Sequence, residues 1–207
     1  MTEREKMLAG KIYDPFTEGM DEERAKAHRL CKLYNDTLDT ETEKREEILK
    51  ELMPFRAENV YLQGPIYFDF GSNVRMGKNG YANFNFTVLD EAPVIIGENV
   101  FIGPNVSLLT PVHPLCYRDR NSFFNEKTGR VTNLERAGAI TIGDNCWLCG
   151  NVTVCGGVRI GAGSVIGAGS VVTRDIPPNS LAAGNPCRVI RKITENDGFA
   201  RHPEWFR

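Results

Sequence analysis

No apolar run in this 207-residue chain approaches the roughly 20 residues that span a bilayer, and the opening Met1-Thr2-Glu3-Arg4-Glu5-Lys6 lacks the apolar core of a secretory signal. No membrane partner is expected, and a cytoplasmic location is. Charge of one sign is missing too: 25 Lys and Arg stand against 27 Asp and Glu, a formal net charge of −2, which gives no general attraction for nucleic acid. Histidine is scarce. The three present, His28, His113 and His202, lie in distant segments, so only an interface between copies would gather them into a three-histidine zinc site. The six cysteines include Cys146-x-x-Cys149 followed by Cys155, but no second pair completes a four-ligand site. They read as reduced packing residues, and no metal is expected.

In place of these features the chain carries a six-residue rhythm: Ile96-Gly97, Ile102-Gly103, Ile142-Gly143, Ile160-Gly161 and Ile166-Gly167. Leu148, Val154 and Val172 keep the same frame. A small or aliphatic residue stands four places after each leader (Val100, Val106, Cys146, Val152, Val158, Ser164, Ser170, Ile176). Six is a multiple of the strand period of 2 and fits the helical 3.6 poorly, so leader and fourth-following residue share the inner face of a short extended segment. The glycines are expected at corners, where the absence of a Cβ opens unusual dihedral angles. Such repeats stack as a mainly β fold, a parallel β-helix. Gly161-Ala162-Gly163 and Gly167-Ala168-Gly169 recur in this corner register and lack the strand, helix and acidic partner of a dinucleotide fingerprint.

The frame breaks once. Between Leu108 and Ile142 a loop is extruded, residues 114–138, rich in charge and carrying Phe123 and Phe124 as a docking pair; a loop this long in a compact domain is commonly functional. His113 stands immediately before it, in Thr110-Pro111-Val112-His113-Pro114. Residues 1–57 have different grammar. A helix is expected from Asp21 with Ala27, Leu30, Leu33 and Tyr34 on its apolar face, and a second after a capping box Thr40-x-x-Glu43, with Ile48, Leu49, Leu52 and Met53 inward before Pro54. Segments between Val60 and Val94 read as irregular opening turns of the β-helix. The resulting division is a helical segment 1–57, a β-helix domain 58–190 with its loop, and a tail 191–207.

Several non-repeat motifs occur in a fixed order: Gly10-Lys11-Ile12-Tyr13-Asp14, Tyr67-Phe68-Asp69-Phe70-Gly71-Ser72-Asn73, Tyr81-Ala82-Asn83-Phe84-Asn85, Asp90, Val112-His113-Pro114, Trp147, Asp175-Ile176-Pro177-Pro178-Asn179-Ser180, and Ala183-Gly184-Asn185-Pro186-Cys187-Arg188-Val189-Ile190-Arg191. In this series the chain closely resembles the maltose and galactoside O-acetyltransferases over nearly its whole length. The resemblance implies a left-handed β-helix, a homotrimer with active sites between neighbouring subunits, and acetyl-CoA as co-substrate. The handedness comes from the resemblance alone, since the general preference for right-handed crossovers points the other way.

Moving an acetyl group from a thioester to a hydroxyl requires taking a proton from an alcohol, stabilising an oxyanion and returning a proton to the thiolate. A histidine suits both proton steps. His113, at the end of a repeat and before the loop, is the candidate general base; otherwise it is a surface histidine between turn-forming prolines. Asn83 matches the family position associated with transition-state stabilisation, where an amide can donate to the oxyanion; otherwise it is a turn asparagine. Asp14, Ser72, Asp90 and Glu91 match neighbourhoods that recognise sugar hydroxyls, or else satisfy local backbone groups. Asp14 lies one step from the acidic position of the galactoside enzymes, where this chain has Pro15, and Glu91 stands where they can carry aspartate. Trp147, Gly150, Ala168, Thr173, Arg174, Arg188 and Arg191 match positions lining the coenzyme A channel, with arginine forks suited to phosphate.

The leading expectation is a sugar O-acetyltransferase acting on maltose, glucose or a galactoside. The alternatives are a hexapeptide acetyltransferase with an amine, antibiotic or amino acid acceptor, and a non-catalytic trimeric scaffold or zinc hydratase of the same fold.

Overall fold

A computed structural model describes residues 1–17 and 19–206. The repeat builds a left-handed parallel β-helix shaped as a three-sided prism. Face one stacks Phe55–Arg56, Val74–Met76, Val94–Ile96, Ile140–Ile142 and Arg159–Ile160. Face two stacks Tyr61–Leu62, Tyr81–Ala82, Phe101–Ile102, Trp147–Leu148, Val165–Ile166 and Ser180–Gly184. Face three stacks Ile66–Phe68, Phe86–Leu89, Ser107–Leu109, Thr153–Cys155 and Val171–Val172. Every pairing within these stacks is parallel until Cys187–Lys192 folds back antiparallel on Ser180–Gly184 and closes the last coil.

The leaders and the fourth-following residues fill the prism. Ile96, Ile102, Leu148, Val154, Ile160 and Val172 are buried, and so are Val100, Val106, Val152 and Val158, in one continuous core. Each such side chain contributes about 1.5–3 kcal/mol on burial.

The glycines after the leaders serve a different purpose from the one expected. Left-handed φ falls two residues later, on Asn99, Asn105, Asn145, Asn151, Gly163 and Gly169, while Gly97 and Gly103 are not among the positive-φ residues described. An added Cβ at Gly97 would lie 2.6 Å from the Asp144 backbone N, and one at Gly103 2.7 Å from Gly150 N. Stacking distance therefore selects glycine there, and asparagine turns the corner. The turning asparagines form ladders, Asn79 to Asn99 at 3.0 Å and Asn85 to Asn105 at 2.8 Å, that bind one coil to the next.

The opening turns, expected to be irregular, are complete coils. Tyr61 pairs with Tyr81 and Tyr81 with Phe101, each twenty residues on, whereas Trp147 pairs with Val165 eighteen residues on. Two extra corner residues disturb the six-residue count without disturbing the register.

The helices complete the core beside the first coil. α1 (Glu3–Leu8), unanticipated, starts from a capping box of Thr2 and Glu5. α2 (Met20–Asn35) buries Ala27, Leu30, Cys31 and Tyr34, while Leu33 faces out, one step off the inward stripe. α3 (Thr42–Leu52) begins after Glu41, and the expected Thr40/Glu43 box does not form because the N-cap lies one residue later; the Glu41 carboxylate accepts Leu38 N at 2.7 Å. Asn35 clamps α2 to face three, its Oδ1 accepting Ile66 N at 2.7 Å and its Nδ2 donating to Ile66 O at 2.9 Å. The extruded loop is ordered too. Pro111–Val112 and Arg136–Ala137 form an antiparallel neck, followed outward by α4 (Tyr117–Arg120) and a hairpin of Phe123–Asn125 with Arg130–Thr132. Phe123 and Phe124 remain exposed. All six cysteines are free, and among the described residues no His/Cys/Asp/Glu group could hold a metal.

Candidate active site

Where the chain passes from face three to face one, the neck of the loop holds His113 half exposed, with Nδ1 3.4 Å from Glu135 Oε2. Glu135 is buried and held from the other side: Tyr13 OH donates to its Oε1 at 2.6 Å, and the two backbones exchange hydrogen bonds of 2.9 and 3.2 Å. Burial, together with the adjoining Glu135 carboxylate, keeps the Tyr13 phenol protonated well above its ordinary range. A small second core of Met7, Tyr13, Met20, Phe70, Ala92 and Ala137 fixes this arrangement from below. A carboxylate on the Nδ1 side favours the ring proton on that nitrogen, which leaves the Nε2 lone pair able to accept one. His113 and Glu135 open on a cleft of about 550 Å³ that Ile12, Arg118 and Phe123 also line.

A cluster of carboxyl groups occupies the same edge. Glu91 is buried, and burial followed by its hydrogen bond to Asp69 pushes its carboxyl up to about 9. Thr110 Oγ1 donates to Leu89 O at 2.7 Å and lies 3.4 Å from Glu91 Oε2. Asp69 on its other side meets His28 Nε2 at 3.2 Å. Asp90 is fully buried and holds the corner together, accepting Phe70 N at 2.8 Å and Asn73 N at 3.2 Å; burial pushes it up to about 6 against those bonds. Asp14 accepts Phe16 N at 3.0 Å and Thr132 Oγ1 at 2.6 Å, fastening the N-terminal segment to the hairpin. Ser72 lines a separate hollow with Arg4, Lys26 and Phe70. Of the four expected acceptor residues, Glu91 is the one the chain brings beside the partner of His113.

Asn83 is on the opposite edge, between faces two and three. Its Oδ1 accepts Phe84 N at 2.8 Å, and its Nδ2 donates to no group among the described residues, so the amide is turned with its donors outward. The matching corners of later coils hold Gly150 and Ala168. Gly150 has ordinary φ, and a Cβ there would meet Pro104 at 3.4 Å. Packing within the chain therefore has little need of glycine at this position.

Two family models match the repeat, a bacterial transferase hexapeptide model over residues 139–174 and a succinyltransferase hexapeptide model over 93–113. A third, the maltose acetyltransferase hexapeptide capping motif, matches residues 6–54. The galactoside O-acetyltransferase of Escherichia coli K12 is 44% identical over 95% of this chain and 91% of its own. The chain belongs to the maltose and galactoside O-acetyltransferase family. Two solved structures agree with this. A maltose O-acetyltransferase from Clostridium difficile 630 superposes with a TM-score of 0.86 at 43% identity, covering 94% of this chain and 99% of that one. A galactoside acetyltransferase in complex with coenzyme A gives 0.86 at 43%, covering 95% and 94%.

Set against the family pattern, the candidate residues divide between two edges of face three, on the order of 15 Å apart by strand rise. His113, Glu135, Glu91, Thr173 and Arg174 lie along one edge, and Asn83, Gly150 and Ala168 along the other. Trp147 is half exposed on face two beside the second edge, below the last strand pair that carries Arg188 and Arg191. Arg191 is already occupied, donating to both Asp197 oxygens at 2.9 and 2.6 Å, and Arg188 donates to Cys187 O at 2.8 Å. Glu135, Tyr13 and Asp69 were not singled out from sequence as site residues. The signal for Asp69 was the twenty-residue coil offset, which puts Phe68 opposite Val88 and hence Asp69 beside the Leu89 to Glu91 corner.

Proposed function

We propose that this chain is an acetyl-CoA-dependent sugar O-acetyltransferase working in the cytoplasm as a homotrimer, with His113 as general base in direct transfer. The observation that carries this is the grouping of Tyr13, Glu135 and His113, with Nε2 turned away from the carboxylate at the mouth of a cleft. In the reaction the acceptor hydroxyl gives its proton to His113 Nε2 as its oxygen attacks the thioester carbonyl and forms the new C–O bond. The oxyanion is met by the Asn83 amide. Collapse breaks the C–S bond, and the proton on Nε2 passes to the departing thiolate. Glu135 holds the ring in orientation and faces the imidazolium that forms.

The separation of the two edges supports the trimer. Asn83 of one copy reaches His113 of another when the face two–three edge of the first meets the face three–one edge of the second. Face two carries an aromatic row suited to such burial: exposed Tyr61, half-buried Tyr81 and exposed Phe101 and Trp147 stand in register, with ring centroids 6.0 and 6.2 Å apart for the first two neighbours. The coenzyme's pantetheine arm runs past Gly150 and Ala168 between copies. Trp147, Thr173 and Arg174 flank it, and Arg188 meets phosphate, while Arg191 does so after leaving Asp197. Glu91 and the neighbouring carboxylates receive the sugar hydroxyls, with Asp14, Ser72 and Asp90 shaping the surrounding corner.

Acetyl-CoA consumption with maltose, glucose, a galactoside, serine and a simple amine, in wild type and His113→Ala, tests the reading. Sugar-dependent turnover that falls by roughly 10² to 10⁴ in the variant is expected. Turnover with amines alone contradicts the sugar assignment, and undiminished turnover in a folded variant removes His113 from the mechanism.

A further inference from the structure

We propose that the groove between α2 and face three is an outer acceptor subsite that takes a second sugar ring. This rests on the sugar-transfer reading and adds to it a preference for glycosides larger than one ring. The groove is separate from the His113 cleft and is lined by His28, Lys32, Tyr67, Asp69 and Leu89 among others. The shared acidic cluster lies between the two: Asp69 meets His28 on the groove side and Glu91 on the other, and Glu91 neighbours Glu135.

The shape of the groove follows from the strand register. Tyr67 points outward from Ile66–Phe68 with its ring half exposed, and the positions stacked beside it on face three are short: Thr87, then Ser107, then Thr153. One aromatic ring at the end of a row of small side chains leaves a concavity with a flat apolar wall. The Asn35 clamp on Ile66 fixes the distance of α2 from that wall. Around the ring stand a carboxylate acceptor (Asp69), an imidazole (His28) and an ammonium (Lys32, paired with Asp36 at 2.7 Å).

A sugar ring has the matching chemistry, an apolar C–H face for the tyrosine and hydroxyls for groups that accept and donate. A phosphate or other anion does not fit, because Asp36 and Asp69 face the same space.

The test compares kcat/KM for maltose and for glucose in wild type, Tyr67→Ala, Tyr67→Phe and His28→Gln. Saturation-transfer NMR of maltose on each protein is read in parallel. The maltose-to-glucose ratio is expected to fall about tenfold in Tyr67→Ala and to stay near wild type in Tyr67→Phe, which keeps the ring. His28→Gln gives a smaller fall in the same ratio. An unchanged ratio, or equal loss for both sugars, overturns the proposal. Should wild type turn over neither sugar, the sugar-transfer reading fails and the NMR decides the groove by itself. Maltose contact that disappears in Tyr67→Ala supports the subsite, and contact that is absent from wild type or survives in Tyr67→Ala overturns it.

Discussion

Replacing Glu135 by Gln keeps the size of the side chain and removes the one carboxylate that faces His113. The separation of 3.4 Å between Nδ1 and Oε2 corresponds to about 5 kcal/mol of attraction for a full imidazolium charge at an effective dielectric near 20. His113 is half exposed, so solvent screening reduces this to about 2–3 kcal/mol, or a fall of roughly 30- to 150-fold in kcat. Glu135→Ala should lose at least as much, because the ring then has nothing to orient it. The KM for acetyl-CoA should stay near wild type in both, since Glu135 is buried behind His113 and contacts His113 and Tyr13 rather than a residue assigned to the coenzyme. Tyr13→Phe removes only the phenol's bond to Glu135 and should cost about 1 kcal/mol, roughly a fivefold fall. Loss of thioester absorbance is the suitable assay, because exposed Cys116 would consume a thiol reagent. A folded Glu135→Ala enzyme with wild-type kcat would refute the assignment of Glu135 as the residue that positions His113.

Three further outcomes follow from the corners and the buried carboxyls. Glu91 keeps its proton in the folded state up to about pH 9 and loses it near 4.5 when unfolded, so the native state binds more protons in that window. Stability should therefore fall as pH rises through it, by up to about 1.4 kcal/mol per pH unit, and Glu91→Gln should flatten the slope in denaturant titrations. Gly97→Ala puts a Cβ 2.6 Å from the Asp144 backbone and should cost at least about 2 kcal/mol in the same titrations, from coils forced apart. Asn105→Ala should lose about 1–2 kcal/mol more than Asn105→Gly, because both give up the ladder bonds to Asn85 and Asn151 and only alanine resists φ 58°.

The β-helix core was legible because leaders such as Ile102 and Ile160 repeat at a spacing only strands tolerate, and the same count exposed the loop after His113. Glycine's role was misjudged, because sequence shows which residue lacks a Cβ and not whether dihedral angle or stacking distance requires the lack. Asn99 and Asn105 were carrying the turn. The opening coils were hidden by two extra corner residues each. The partnership of His113 with Glu135 was hidden by the loop between them, whose neck is closed by Pro111–Val112 against Arg136–Ala137. Asn83 was proposed only through the family resemblance, and what the structure adds is the orientation of its amide.

In the proposed trimer each site is shared, with His113 on one edge and Asn83 on another copy's opposite edge. The most direct measurement is complementation: His113→Ala and Asn83→Ala chains are purified, each nearly inactive, then unfolded and refolded together in equal amounts. In a mixed cyclic assembly about a quarter of the sites pair an intact His113 with an intact Asn83, so about a quarter of wild-type activity should return. Hybrid assemblies that form and stay as inactive as their parents would contradict the shared site.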